Sequence, residues 1–438
     1  MPTRNAKGQA RTQKKSKKST KGAAAKLESA PKNPPRGFGP LGRDRIGFAV
    51  LCAVVLGFGI LLVARTIARG DDFLVFYRVA QRFWDGVRPY DQVTYGNMVF
   101  KYPPWILPFF LPFGFVDLTT AKTLWGLIEA AALVAIVVRM HRGFLTFPGV
   151  RPWVQSLVLL MLFALVGSHG MTGQITLIVL ALAVWADPAR ASFGRFFFLA
   201  IAMSAKLTSF FPMAYAARRK HLLQTVLGVV VLCIALSLPI YFKSYDRHYG
   251  LMRDEWTSAM FSGTQDVNSV RIGFTTREVQ GLPSFLLRKA GLDEKQPVHV
   301  LFATFLSVVL IGGAWIWFSR KLSPPAQWLG WIALMPAVQP LAWFHVFLFA
   351  YPLLVIGVEL SLRENRRESR NWRIAGFLFA ALLIGAVTSK TLGALGAELE
   401  LCSVKLWGLL FAVALYIPLV DRRLDRPFEH SLERRQRF

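Results

Sequence analysis

Long apolar blocks separated by short polar connections recur through most of the chain. The first, 46–68, is 23 residues long and carries a single charge, Arg65, close to its end. A helix needs ~20 apolar residues to cross the hydrocarbon core, where its backbone groups must be satisfied internally. Blocks of this length therefore read as transmembrane helices. The spans drawn this way are 46–68, 118–138, 153–169, 171–186, 196–217, 221–242, 299–319, 326–341, 342–361, 374–389 and 403–420. A shorter piece, 103–117, is apolar but broken by prolines. If it and 196–217 both cross, the crossings number twelve, the arrangement favoured here. If both are re-entrant, they number ten. Within 69–102 the pattern changes. Phe73, Phe76, Tyr77, Ala80 and Phe83–Trp84 recur at helical spacing, which predicts an amphipathic helix at the membrane surface.

Composition agrees: 54% of the 438 residues are hydrophobic and 18% charged, against about 25% charged in a soluble protein of ordinary composition. A soluble multidomain protein is excluded because the apolar blocks extend through most of the chain. The net charge of +27 first suggests nucleic acid, but its distribution argues for a membrane surface. Residues 1–45 hold 13 Lys or Arg against Glu28 and Asp44, with no apolar period and no aromatic residue among the lysines. Such a segment should be a disordered cytoplasmic tail next to anionic headgroups. It is too long and too polar for a secretory signal. Basic clusters at Arg218–Arg219–Lys220, Arg320–Lys321, Arg363–Arg373 and Arg422–Arg437 follow alternate spans, as cytoplasmic loops should. The expected organisation is a basic tail (1–45), a transmembrane domain (46–420) with external loops 69–102 and 243–298, and a second basic tail (421–438).

Candidate chemistry gathers on the external side. Asp71 and Asp72 open the amphipathic helix, where they serve either as a cap or, for one of them, as a general base at a cavity mouth. Lys206 lies within an apolar span, a position that costs roughly 2.5–3.5 kcal/mol and points to a partner or pathway, unless the side chain snorkels. Tyr102-Pro103-Pro104, Gly173-Gln174, Asn268-Ser269 and Trp343-Phe344-His345 fall at outer span ends or in the external loops. His345 reads either as a satisfied core histidine or as an active-site donor. Cys52, Cys233 and Cys402 are scattered and define no disulfide or metal set. The chain has no Walker A loop, no H-E-x-x-H and no G-x-S-x-G. No metal-ligand spacing is visible, although Asp71–Asp72 is able to hold one divalent ion.

These residues resemble glycosyltransferase family 87, in the GT-C superfamily of polyprenyl-phosphate-sugar-dependent membrane glycosyltransferases. The family's D-F-x-x-Y-Y-x-A pattern is matched by Asp72-Phe73-Leu74-Val75-Phe76-Tyr77-Arg78-Val79-Ala80, and its G-x-x-x-Y by Gly86–Tyr90. Its Y-P-P resembles Tyr102-Pro103-Pro104, its G-Q-x-N resembles Gly173-Gln174-Ile175-Thr176, and its lysine with a nearby proline resembles Lys206 and Pro212. An N-x-S-like motif resembles Asn268-Ser269, and W-x-H resembles Trp343-Phe344-His345. The order is kept over roughly residues 70–350. Thr176 replaces the usual Asn, Leu207 stands where Pro follows the lysine, and Asn268 lacks a spacer before Ser269.

The resemblance implies a GT-C-like bundle of about 10–12 transmembrane helices. It implies an inverting transfer of a sugar, most often mannose, from a polyprenyl-phosphate donor to a glycan or glycolipid hydroxyl at the outer face of a bacterial plasma membrane. Asp72 is then the expected base, with Asp71 the alternate. Lys206, Lys101, His345 and Arg271 would hold the donor phosphate. Tyr77, Tyr102, Gln174, Asn268, Ser269 and Trp343 would contact sugar or acceptor. The expected partners are the lipid-linked donor, the acceptor and membrane lipids, without nucleic acid and without a cofactor. A lipid-linked sugar transporter or flippase is the alternative function, and a structural membrane protein the third.

Overall fold

The computed structural model describes residues 44–87, 89–90, 100, 102–145, 147–186, 202, 222–243 and 273–421. The described residues form an all-α polytopic membrane protein. In chain order the helices are α1 (Arg45–Ala68), α2 (Asp71–Trp84), α3 (Leu118–Arg142), α4 (Pro152–Met161), α5 (Phe163–Thr172), α6 (Thr176–Trp185) and α7 (Leu222–Lys243). Then follow α8 (Leu282–Ala290), α9 (Pro297–Ser319), α10 (Pro324–Val338), α11 (Tyr351–Leu362), α12 (Arg367–Gly385), α13 (Ser389–Leu401) and α14 (Val404–Asp421). Among the described residues, four helices are long and apolar enough to cross a membrane singly: α1, α3, α9, and α11 together with the 3-10 turn Phe344–Ala350 before it. Two bent pairs, α4–α5 at 64° and α12–α13 at 96°, raise the number to six.

Local chemistry sets the helix ends. Asp44 caps α1 by accepting from Gly47 N at 2.9 Å, and Asp117 caps α3 by accepting from Thr120 N at 3.0 Å. Lys122, in the first turn of α3, reaches the last carbonyls of α1, with Nζ 2.6 Å from Arg69 O. A cation there satisfies orphan acceptors and complements the helix dipole. It also sets α1 and α3 antiparallel. Gly126 makes their contact close, since a Cβ on it would lie 2.8 Å from Val63 Cα.

The bundle has two chemically distinct ends. At one, Arg151 N donates to Glu359 at 3.1 Å, Arg363 pairs with Glu359 at 2.8 Å, and Arg373 pairs with Glu364 at 2.8 Å. The loop with Arg139, Arg142 and Arg151 therefore sits with the Arg363–Arg373 cluster. The opposite end gathers the C-terminus of α1, all of α2, the C-terminus of α5 and the start of the 3-10 turn Phe344–Ala350.

This arrangement corrects the favoured twelve-crossing expectation. Segment 103–117 folds as three short pieces, Pro104–Ile106, Leu107–Phe110 and Leu111–Phe115. Both its ends are held near the first turns of α2: Tyr102 through Gln174, and Val116 by its carbonyl, which accepts from Tyr77 Oη at 2.9 Å. Gly114 packs on the α2 backbone, where a Cβ would sit 3.0 Å from the Ala80 carbonyl carbon. Even as a continuous α-helix, 104–115 would span only ~18 Å, against ~30 Å of hydrocarbon. For 103–117 alone, the geometry fits a re-entrant course. Apart from Ala202, segment 196–217 lies outside the described residues. Helix α13 was not foreseen, because 390–402 is too polar to read as a span.

Replacing Gly126 by Val should force α1 and α3 apart. The expected cost is about 1–3 kcal/mol, read as a lower melting temperature of the detergent-solubilised protein. An unchanged melting temperature would refute the close contact.

Candidate active site

Helix α2 is amphipathic. It buries Phe73, Phe76, Tyr77, Ala80 and Phe83 and starts after Gly70, whose φ of 54° suits the reversal from α1. The aromatic face is anchored by Phe73 stacked on Trp125 (5.3 Å between centroids) and Phe76 stacked on Phe110 (4.1 Å). This anchoring fixes where the two acids at the helix start lie.

The environments of Asp71 and Asp72 differ. Asp71 is partly exposed and paired with Arg69. Asp72 accepts from the side-chain amide of Gln174, whose Oε1 in turn accepts from Tyr102 Oη at 3.0 Å. Tyr102 is held by its own carbonyl, 2.8 Å from Tyr90 Oη. The direction of this chain follows from chemistry: an ionised carboxylate only accepts, so the amide nitrogen must face Asp72 and the amide oxygen is left for the phenol. Burial, then the negative charges of Asp72 and Glu129, push the Tyr102 phenol above its ordinary value. It therefore remains a donor throughout the neutral range.

Gln174 reaches Asp72 because of Gly173. Gly173 ends α5 with φ 66°, in the left-handed region, where a Cβ is costly. A Cβ here would also meet Phe73 Cβ at 2.9 Å. Trp125 locks the turn by donating from Nε1 to Gly173 O at 2.9 Å.

One turn deeper lies a pair that the sequence reading missed. Glu129 on α3 is bonded to His169 Nε2 on α5, and both are fully buried. The His169 ring lies 5.8 Å from that of His345, itself 2% exposed at the start of Phe344–Ala350. An acid alone in an otherwise apolar span was the available signal. Trp343 is partly buried and pairs its backbone with Val279. Close by, Lys405 is buried, with Nζ 2.8 Å from Ile384 O and 4.7 Å from the Phe344 ring centroid.

Of the expected site residues, Asp71, Asp72, Tyr102 and Gln174 come together, and His345 adjoins them through His169. The amide of Gln174 contacts Asp72 and Tyr102. Tyr77 is turned away. Its hydroxyl accepts from Gln81 at 2.7 Å while donating to Val116 O, tying α2 to the end of the re-entrant segment. Lys101, Lys206, Asn268, Ser269 and Arg271 lie outside the described residues.

A sequence model of glycosyltransferase family 87 matches residues 100–340. The chain belongs to this family. It is also similar to a polyprenol-phosphate-mannose-dependent alpha-(1-2)-phosphatidylinositol mannoside mannosyltransferase of Mycolicibacterium smegmatis. The two are 26% identical over 375 residues, which cover 77% of this chain and 81% of the relative. No solved structure matches the chain. As a family 87 glycosyltransferase, the protein is an enzyme whose residues 100–340 include Tyr102, Glu129, His169 and Gln174.

In this glycosyltransferase, Tyr102→Phe removes the donor that orients Gln174, an interaction worth about 1 kcal/mol. The expected result is a fall in kcat of about five- to tenfold with the protein still folded. Unchanged kcat in a steady-state transfer assay would show that the phenol does not hold the amide.

Proposed function

We propose that the protein transfers mannose from a polyprenyl-phosphate donor to a hydroxyl of a glycan or glycolipid acceptor, with inversion, at the extracytoplasmic face. Asp72 is the base. It removes the proton of the acceptor hydroxyl as the oxygen attacks C1 of the sugar. The bond from C1 to the phosphate oxygen breaks, and polyprenyl phosphate departs with the electron pair. A phosphate leaving group does not need a protonating acid, so one carboxylate and donors to the phosphate suffice.

The observation that carries this reading is the unequal fate of the two acids. Asp71 is held in an ion pair with Arg69 at the helix start, whereas Asp72 is oriented by the Gln174 amide, itself held by Tyr102. His345 is the described candidate for the donor phosphate, with Lys206, Lys101 and Arg271 assigned there by their resemblance or their external-loop position. Asn268, Ser269 and Trp343 are assigned to sugar or acceptor contacts on the same grounds. The arginine-rich end of the bundle supports a cytoplasmic placement for Arg139, Arg151 and Arg363, and for the basic tails 1–45 and 421–438. That placement sets Asp72 at the outer leaflet of a bacterial plasma membrane. The similar mannosyltransferase names a mannosylated phospholipid as its acceptor, which makes that class the first to test.

The test incubates purified protein with radiolabelled polyprenyl-phosphate mannose and mannosylated phospholipids, and assigns the anomer of the product by NMR. Asp72→Asn should lower the rate by about 10²- to 10⁴-fold while the protein remains folded and inserted. Asp71→Asn should retain activity within about tenfold of wild type. Near-wild-type rates for both variants would remove the base assignment.

A further inference from the structure

Two rungs join α3 to α5. Trp125 and Glu129 lie one turn apart on the buried face of α3. Gly173 and His169 lie one turn apart at the end of α5, where Gly173 N donates to His169 O at 2.9 Å. The outer rung is Trp125 Nε1 to Gly173 O, and it holds the turn that presents Gln174 to Asp72. The inner rung is the carboxylate of Glu129 against His169 Nε2, and beyond it stands the His345 ring, tilted at 62° to that of His169.

The inner rung is an expensive way to join two helices. Glu129 and His169 are both fully buried in the bundle. Taking a carboxylate out of water costs several kcal/mol, and an apolar pair of similar volume commonly packs as well or better. Packing alone therefore does not account for it. What a carboxylate supplies that leucine does not is a fixed tautomer and a fixed ring plane for the histidine it grips. His169 then presents a rigid aromatic surface to His345.

We propose that the Glu129–His169 pair is a positioning device for His345. It fixes the ring plane of His345, and so the direction of the N–H that His345 offers to the departing phosphate. The proposal rests on the transferase reading above, in which His345 meets the donor. Glu129 and His169 touch neither substrate and act through His345. Their effect belongs to the transition state, where the phosphate gains charge, and not to donor binding.

The experiment is a double-mutant cycle on the purified full-length enzyme with polyprenyl-phosphate mannose as donor. Glu129→Gln keeps an acceptor for His169 but removes the charge. It should lower kcat about 10- to 100-fold and change the donor KM by less than about threefold. In the His345→Ala background the same substitution should have no further effect, because the residue it acts through is gone. Additive losses in kcat would overturn the proposal, since a purely structural brace damages both backgrounds equally. A second variant, Glu129→Leu with His169→Leu, covers the case in which Glu129→Gln folds poorly. It should melt no lower than wild type yet lose kcat by the same factor, and wild-type kcat in that variant would refute the assignment. The parent reading fails separately: there, wild type itself would form no glycosidic bond. An active wild type with an additive cycle removes the positioning role alone.

Discussion

The contact on which the functional end depends is the approach of Gly173 to Phe73. The turn that ends α5 lies directly against the first turn of α2, with room for a hydrogen but none for a methyl group. From that contact Gln174 reaches Asp72, Tyr102 reaches Gln174, and the re-entrant segment 103–117 is drawn over the aromatic face of α2. A bulkier residue at 173 would have to push apart two elements that Trp125 binds from opposite sides, by its stacking on Phe73 and its donation to the Gly173 carbonyl.

Adjacent acids on one helix end normally titrate as near equals, both favoured by the dipole. Here consecutive side chains point about 100° apart, as a helix requires, so Asp71 faces Arg69 and Asp72 faces Gln174. Asp71 is thereby half of an ion pair with Arg69, and Asp72 accepts from the Gln174 amide. Sequence adjacency alone does not reveal the division.

Much of this was legible in the chain, and the failures have physical causes. Apolar run length gave the spans α1, α3, α9 and α11, and the spacing of Phe73, Phe76, Tyr77 and Ala80 gave α2. The bend between α4 and α5 and the fold of 104–115 were not legible as such, because a helix that breaks inside a membrane keeps the apolar composition of one that does not. The sequence singled out Asp72, Tyr102 and Gln174, which the fold brings together, but not the contact of the Gln174 amide with Asp72 and Tyr102. Which group an amide faces is decided by residues 72 and 102, far from it in sequence. The partners of Tyr77 were not legible for a related reason: helical spacing gives the face of α2, while the carbonyl that takes the hydroxyl comes from Val116 at the far end of segment 103–117. Glu129 was overlooked because an isolated acid in a long apolar span draws less attention than a motif, although in hydrocarbon the isolated acid is the stronger signal.

The remaining ion pairs among the described residues lie toward the helix ends. Glu359 is shared by Arg151 and Arg363, and Glu364 is gripped by Arg373. At the opposite end Glu400 accepts from Ser389 N at 3.0 Å and lies 3.8 Å from Arg277. Arg151, Arg363 and Arg277 reach solvent, which limits the desolvation cost of their pairs, while Arg373 and Glu364 are both largely buried. Glu129 and His169 are the extreme case: both partners have 0% exposure, with Glu129 midway along α3 and His169 in the last turn of α5. Among the described ion pairs this one has no exposure on either partner, a cost that packing does not repay. The interior position is also the one that touches His345. Placement and cost together single out this pair, among the described ion pairs, as the one whose reason must be sought in the reaction.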